Sequence, residues 1–435
     1  MVLNNKFLEF YLVYGIAAFP LMLLIGPGIS EVFLISLILI TFLKTYINKE
    51  MNFYLNKFSL FFLLFYLSIL ISTLFNFQNF YSSKAGFFYF RIPLFALSIW
   101  FILDRFDFFN KRILTILTLF LFIIILDSLF QYYTGINFVG SEISRNRISS
   151  FFFDELILGG FLTRIIPIFL LYLVMSDIIN EKKISLPYAG LISFLCLIVY
   201  LSGERSSFFL LILFFSIVFF SIKYLRNFLI LVLIFFIPIS IITPYLKGDP
   251  ETNPATRMFK KSYQQITGKG EEQYEKHKPK LFNKIYIFSH DHHGHYLLSS
   301  KIIKDHPIIG TGVRGFRHLC RKKVYILENN DGCSTHPHNT YIQILTSNGL
   351  IGFSLVIFSF FYIIRKIFIG RSEINSQREF NKYEVSKILM LSAIFINLWP
   401  LIPTGNFFNN WLSMLYFYPI GFYLYFENKY EIKTS

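Results

Sequence analysis

Apolar runs long enough to cross a lipid bilayer recur along this chain, and no other feature restricts its fold so strongly. About 20 mostly apolar residues suffice to span the hydrocarbon core as a helix. Such runs fall near 7–25, 30–43, 58–75, 86–103, 113–132, 156–175, 186–202, 206–222, 227–243, 341–364, 385–402 and 410–426. Only 15% of the residues are charged, against roughly 25% in a soluble domain. Inside lipid a backbone amide has no water to bond, so apolar spans of this length must be helical. The sequence therefore predicts an all-α, polytopic membrane protein with about twelve transmembrane helices. The first run has no small-residue cleavage site and reads as an uncleaved anchor. A net charge of +15 in a soluble chain would suggest nucleic acid. Here much of it lies in short loops between spans, where topology explains it, and no nucleic-acid partner is expected.

The runs divide the chain into helices one to nine (1–243), a large polar loop with short helices (244–338), and helices ten to twelve with a tail (339–435). Charge tests that division. With the N-terminus in the cytoplasm, the cytoplasmic segments hold eighteen Lys and Arg. The short outer loops hold only Lys84, Arg145, Arg147 and Arg205. Such a bias follows the positive-inside rule, and a single missed span would scramble it. Both termini are thus expected in the cytoplasm and the large loop outside, where its own basic residues escape the rule.

That loop holds all nine histidines, with Cys320 and Cys333. Avoidance of lipid explains why the spans lack histidine, but not why the cytoplasmic loops do. Titratable chemistry is therefore expected in the loop. The densest signal is Cys333-Ser334-Thr335-His336-Pro337-His338-Asn339-Thr340-Tyr341, where a polar loop meets a membrane helix. A neutral His338 there could take a proton from an attacking hydroxyl. Asn339 could orient a sugar or the imidazole, and Gly349 and Gly352 would permit close packing. Cys320 and Cys333 lie in an oxidising compartment by this topology and are expected to pair; two free thiols are the alternative. Cys196, mid-span, reads as apolar filling.

The run HPHN-x-Y-x-Q-x-L-x-x-x-GLIG resembles the signature of the O-antigen ligase and polymerase family. HPIIGTGVRGF (306–316), SGERSSF (202–208), DSLFQYYTGINFVG (127–140) with Arg147 and the FFFDELILGG run, and PLIPTGNFFNNW (400–411) are similar to its other stretches, in order. The resemblance implies a metal-independent glycosyltransferase of the bacterial inner membrane, without cofactor. Its donor would be an undecaprenyl-diphosphate-linked glycan, and its acceptor a hydroxyl of lipid A-core or another glycan, outside the membrane. Carried over, His338 activates the acceptor, with His336, His295 and Asn339 in support. Arg205, Arg257 and Arg314 are the arginines expected to hold the diphosphate. The chain departs from the family pattern where many members place a loop arginine, since His292 stands there.

The chemistry suits those residue types. Arginine stays charged and grips phosphate oxygens in pairs, and positioned guanidinium groups offset a leaving diphosphate without a metal. Arg205 could equally be an arginine reaching to the interface. Arg91 and Asp127, inside spans, are expected to pair within the bundle rather than touch substrate. His290-Asp291-His292-His293-Gly294-His295 could suggest zinc, but no second ligand pair is defined, and no metal is expected. Ligase and polymerase share this chemistry, and the layout resembles a ligase more. A transporter without catalysis would instead show internal repeats and mid-membrane charges. The topology yields a direct expectation. A periplasm-reporting tag inserted near Glu272 is active and one near Asn375 is silent; activity at both sites contradicts the span count.

Overall fold

The computed structural model describes residues 6–77, 80–248, 258, 260, 262–264, 267, 290–326, 332–376 and 379–434. Arg257 and Glu272 lie outside the described residues. Among those described the fold is helical, with isolated bridges only, such as Ile136 to Glu142. The first half holds α1 (Lys6–Ala17), α2 (Phe19–Ile25), α3 (Pro27–Ile47), α4 (Lys57–Phe75), α5 (Phe80–Phe87) and α6 (Arg91–Arg105). It continues through α7 (Lys111–Thr134), α8 (Leu158–Met175), α9 (Leu186–Leu201), α10 (Arg205–Ser221) and α11 (Arg226–Lys247). After the polar segment come α12 (His290–Asp305), the short α13 (Gly315–Leu319), α14 (Thr340–Ser376), α15 (Lys382–Asn397) and α16 (Asn410–Thr434).

Every apolar run thus carries a helix, but length separates them. Among the described residues seven helices are long and apolar enough to cross a membrane, or eight if α1 and α2, bent by 66°, count as one span. The apolar runs of the sequence predict about twelve. α9, at 16 residues, extends about 24 Å, short of a roughly 30 Å hydrocarbon core. α10 and α15 are similarly short, and α16 is long but rich in tyrosine. Several helices turn apolar side chains outward, as a lipid-facing surface does: Phe358, Phe361 and Phe368 of α14 are 62%, 60% and 63% exposed.

Three turns are closed by asparagines that cap the next helix. Asn56 accepts from Phe58 and Ser59 N–H (3.0 and 2.9 Å), Asn110 from Ile113 N–H (3.1 Å) and Asn381 from Tyr383 N–H (3.0 Å). α15 lies at the centre, packed against α8, α10, α14 and α16, and every residue from Glu384 to Asn397 is buried. Two charged residues inside the runs, Arg91 and Asp127, are engaged within the fold. Arg91 meets Glu31 of α3, and Asp127 accepts from Phe138 N–H (2.7 Å) and Ser150 Oγ (2.5 Å).

α14 is broken at Gly349, where φ is +62° and ψ −163°. That region is essentially reserved for glycine. Against the break lies the loop after α12. Leu350 N–H donates to Pro307 O (2.9 Å), Thr311 N–H to Thr346 O (3.0 Å) and Gly312 N–H to Ser347 O (2.9 Å). α4 clamps the same loop, because Asn76 Nδ2 donates to Gly310 O (3.1 Å) and Gly312 N–H donates to Ser72 Oγ (2.9 Å). A Cβ on Gly349 would stand 2.1 Å from Ile308 O, and one on Gly310 2.5 Å from the backbone of Asn348 and Gly349. Gly349 therefore packs against a loop rather than a neighbouring helix.

Gly349→Ala combines a forbidden backbone region with a collision between main chains. The backbone conformation alone costs about 1–3 kcal/mol. Gly28→Ala, which meets nothing within 4 Å, is the control. Melting of the detergent-purified variants should show a large loss for the first and almost none for the second. Equal melting temperatures would contradict the role given to the glycine contact.

Candidate functional site

The docked loop fixes where α12 stands relative to the turn that precedes α14, and histidines from both meet there. The His338 ring centroid is 4.0 Å from that of His336, 5.1 Å from His295 and 5.6 Å from His292, while His292 and His295 are 6.2 Å apart. His292 and His295 come together because residues i and i+3 share a helix face. His336 and His338 do so because the intervening residue is Pro337 and His338 takes a positive φ of 56°. That left-handed position is uncommon outside glycine, although histidine is among the residues enriched there.

Each ring is held differently. His295 Nδ1 is 2.8 Å from Gly332 O. His336 uses both nitrogens, Nδ1 with Thr335 Oγ1 (2.9 Å) and Nε2 with Thr404 O (3.3 Å). No hydrogen bond from a described residue reaches the ring of His338. The turn itself is stitched to the segment between α15 and α16. Thr404 N–H donates to His338 O (2.9 Å), and Gln343 spans to Asn406 Oδ1 (2.6 Å) and Phe407 N–H (2.9 Å). Asn339 is spent on the scaffold. Its Oδ1 caps α14 at Tyr341 and Ile342 N–H (3.0 and 3.2 Å), and its Nδ2 donates to Pro400 O (2.8 Å). It holds the turn instead of reaching for a sugar.

Burial sets the protonation states. His336 is pushed down to about 4, first by desolvation and then by the nearby His295, Arg317 and His292, against the opposing bond to Thr404 O. His338 is pushed down to about 3 by desolvation and by the other three imidazoles. Both are neutral near pH 7, because charging one imidazole in this cluster is opposed by low dielectric and by its neighbours. Cys320 and Cys333 are joined by a disulfide with Cα atoms 5.2 Å apart, tying the end of α13 to the residue three before His336. Cys196 is a buried free thiol. Among the described residues no group of three His, Cys, Asp or Glu side chains is arranged to hold a metal ion. The His295 and His338 rings stack at 23°, which does not aim their nitrogens at a shared centre.

The arginines are distributed around these elements. Arg205 stands exposed at the start of α10. The preceding Glu204 is half-buried and caps the start of α8, accepting from Gly159 and Gly160 N–H (2.7 and 2.9 Å). Burial pushes its carboxyl up, partly opposed by Arg147, whose Nη2 is 3.7 Å away and whose Nε donates to Ser202 O (2.8 Å). A Cβ on Gly159 would meet Ser202 Oγ at 2.5 Å, which is why this loop can seat on α8. Arg314 heads α13 and lines a small crevice with Thr73, Asn76, Ser83 and Thr311. Two further arginines lie among these elements. Arg317 follows Arg314 by three positions on α13, and its charge reaches His336 and His318. Arg164 of α8 donates to Asn397 Oδ1 (2.9 Å) and Gly160 O (2.7 Å). The Arg314-x-x-Arg317 spacing was the available signal for the first; nothing in the sequence marked the second.

This is a multi-pass, helical membrane architecture carrying a polar cluster of imidazoles beside a broken helix. Residues 296–357 match the family described as O-Antigen ligase. The matched stretch holds most of α12, the docked loop, Arg314, Arg317, both disulfide cysteines, the histidine turn and the helix break. It supports the place of the chain in the O-antigen ligase and polymerase family. No curated protein matches the chain.

The depressed imidazoles make stability depend on pH. In the unfolded chain they bind protons below about 6.5, while the folded protein refuses them until about 4 and 3. The unfolded state then binds more protons, so stability is full above about pH 6.5 and falls as pH drops toward 4. Melting of the purified protein between pH 7.5 and 4.5 should show this decline, with a shallower slope in His336→Gln. A flat profile would contradict the lowered values of His336 and His338.

Proposed function

We propose that this chain transfers a glycan from an undecaprenyl-diphosphate carrier to an acceptor hydroxyl at the outer face of the bacterial inner membrane. The family match supports a function of the O-antigen ligase and polymerase type. The observation that carries the chemistry is His338, neutral and half-buried, with ring nitrogens that no described residue occupies. In the proposed reaction the acceptor oxygen attacks the anomeric carbon and the bond from that carbon to the diphosphate oxygen breaks. The acceptor proton passes to the His338 imidazole, and undecaprenyl diphosphate leaves with the bonding electrons. An imidazole pushed so low is a weak base on its own. A dianionic diphosphate alongside favours the imidazolium and raises its basicity when the donor is bound.

Arg205, Arg314 and Arg257 are proposed to offset the charge of the leaving diphosphate, and no metal is assigned to the step. His336 and His295 set the position of the His338 ring. The large loop would face the periplasm, with both termini in the cytoplasm and all twelve apolar helices embedded. Lipid A-core is the proposed acceptor. A polymerase joining lipid-linked repeat units would use the same groups, and a ladder of lengthening glycans without lipid A-core would identify it.

Removing a positioned acid–base group typically costs about 10²- to 10⁴-fold in rate. His338→Ala should therefore lose transfer by that order, and His336→Ala by less. Arg205→Lys keeps the charge, loses the planar fork and should also fail substantially. Transfer by detergent-purified enzyme should persist in EDTA. Wild-type transfer rates in a folded His338→Ala protein would remove His338 from the mechanism. Loss in EDTA, restored by zinc and abolished by His292→Ala, would make the histidine cluster a metal site.

A further inference from the structure

No described residue bonds the His338 ring, so the rings packed around it fix where it stands. Two of those rings are anchored to one short stretch of chain. Gly332 O lies 2.8 Å from His295 Nδ1. A carbonyl can only accept, so a neutral His295 held there carries its proton on Nδ1 and leaves Nε2 bare. Ser334 Oγ donates to His336 O (2.5 Å), while His336 Nε2 faces Thr404 O (3.3 Å), which gives His336 the opposite tautomer. Between Gly332 and Ser334 stands Cys333, and its disulfide ties this stretch to Cys320 at the end of α13. Cys320 is buried in a small core with Leu298, Ile302, Phe316, Leu319 and Tyr325, and Cys333 packs against that core. Leu298 and Ile302 belong to α12, the helix that carries His292 and His295.

We infer that the Cys320–Cys333 disulfide is a positioning element for the imidazole cluster, holding Gly332 and Ser334 against α12 and α13 and through them setting the rings of His295 and His336 around His338. The inference rests on the transfer reading only for its effect on rate. Its effect on the rings stands apart from any reaction. With the bond open, Gly332 O can leave His295 Nδ1, and that ring is free to turn or exchange tautomers. The histidine turn is then left to its hydrogen bonds with Thr404. Misplacing a reacting group by about 1 Å can cost about 10²-fold in rate. Opening needs a reductant. A dithiol such as dithiothreitol supplies two electrons and two protons, the S–S bond becomes two thiols, and the dithiol closes into its own disulfide.

The test compares the full-length purified protein, the same protein reduced with dithiothreitol, and the double variant Cys320→Ser with Cys333→Ser, each checked by gel filtration. Where one open form fails to fold or resists reduction, the other decides. Melting between pH 7.5 and 4.5 needs no transfer activity. The low proton affinity of His336 and His338 comes first from desolvation, then from His292, His295 and each other or, for His336, Arg317. Loosening the cluster admits water and raises that affinity toward the ordinary range. Folded and unfolded chains then bind protons more alike, so acidification should cost the open forms less stability than it costs the closed one. A crosslink with no positioning role would lower the melting temperature nearly equally at every pH. In the transfer assay kcat should fall about 10- to 100-fold with donor KM almost unchanged. Reoxidation with glutathione disulfide should restore the reduced wild type and do nothing for the double variant. A pH profile parallel to that of the closed protein, or undiminished kcat in the open forms of a protein that transfers, overturns the inference. A flattened profile in a protein that transfers in no form sinks the transfer reading alone.

Discussion

The contact of residues 307–312 with the break in α14 is the interaction on which the rest of the site depends. A helix interrupted near a membrane frees backbone groups that lipid cannot satisfy. Here they are taken up by another stretch of main chain, with Leu350 bonded to Pro307 and Thr311 and Gly312 bonded to the turn before the break. Two main chains can approach so closely only where neither carries a Cβ, at Gly310 and Gly349. Everything polar is referenced to that joint. α12 brings His292 and His295 in from one side, the chain before α14 brings His336 and His338 from the other, and Ser72 and Asn76 of α4 lock the loop between them.

With the backbone so fixed, burial does the chemical tuning. Desolvation, with the charge of the neighbouring imidazoles, holds His336 and His338 below the ordinary histidine range. Arg317 and the disulfide belong to the same arrangement, since both lie at α13, which connects the docked loop to the histidine turn.

Much of this could be read from residues alone, for identifiable reasons. The helices follow from apolar runs, because lipid leaves the backbone no other solution. His336 and His338 stood out because titratable residues are scarce beside a membrane helix. The role of Gly349 was legible only in kind: a glycine suggests close approach, but not whether a helix or a loop approaches. Asn339 was misjudged for a similar reason, since a polar residue beside a candidate base looks functional until its amide is seen capping α14 and holding Pro400. The convergence of His292 with His338 is a property of tertiary structure. A sequence places these residues 46 positions apart and says nothing of their separation in space.

The central claim is that the donor is cleaved, not merely carried across or held. Proteoliposomes containing the purified protein, a glycan-loaded polyprenyl diphosphate and a hydroxyl acceptor allow freed polyprenyl diphosphate and glycosylated acceptor to be counted together. The account predicts one polyprenyl diphosphate released for each glycan transferred, and no release without acceptor. Movement of intact donor between leaflets with no cleavage, by a well-folded protein, would contradict it and place the chain among transporters.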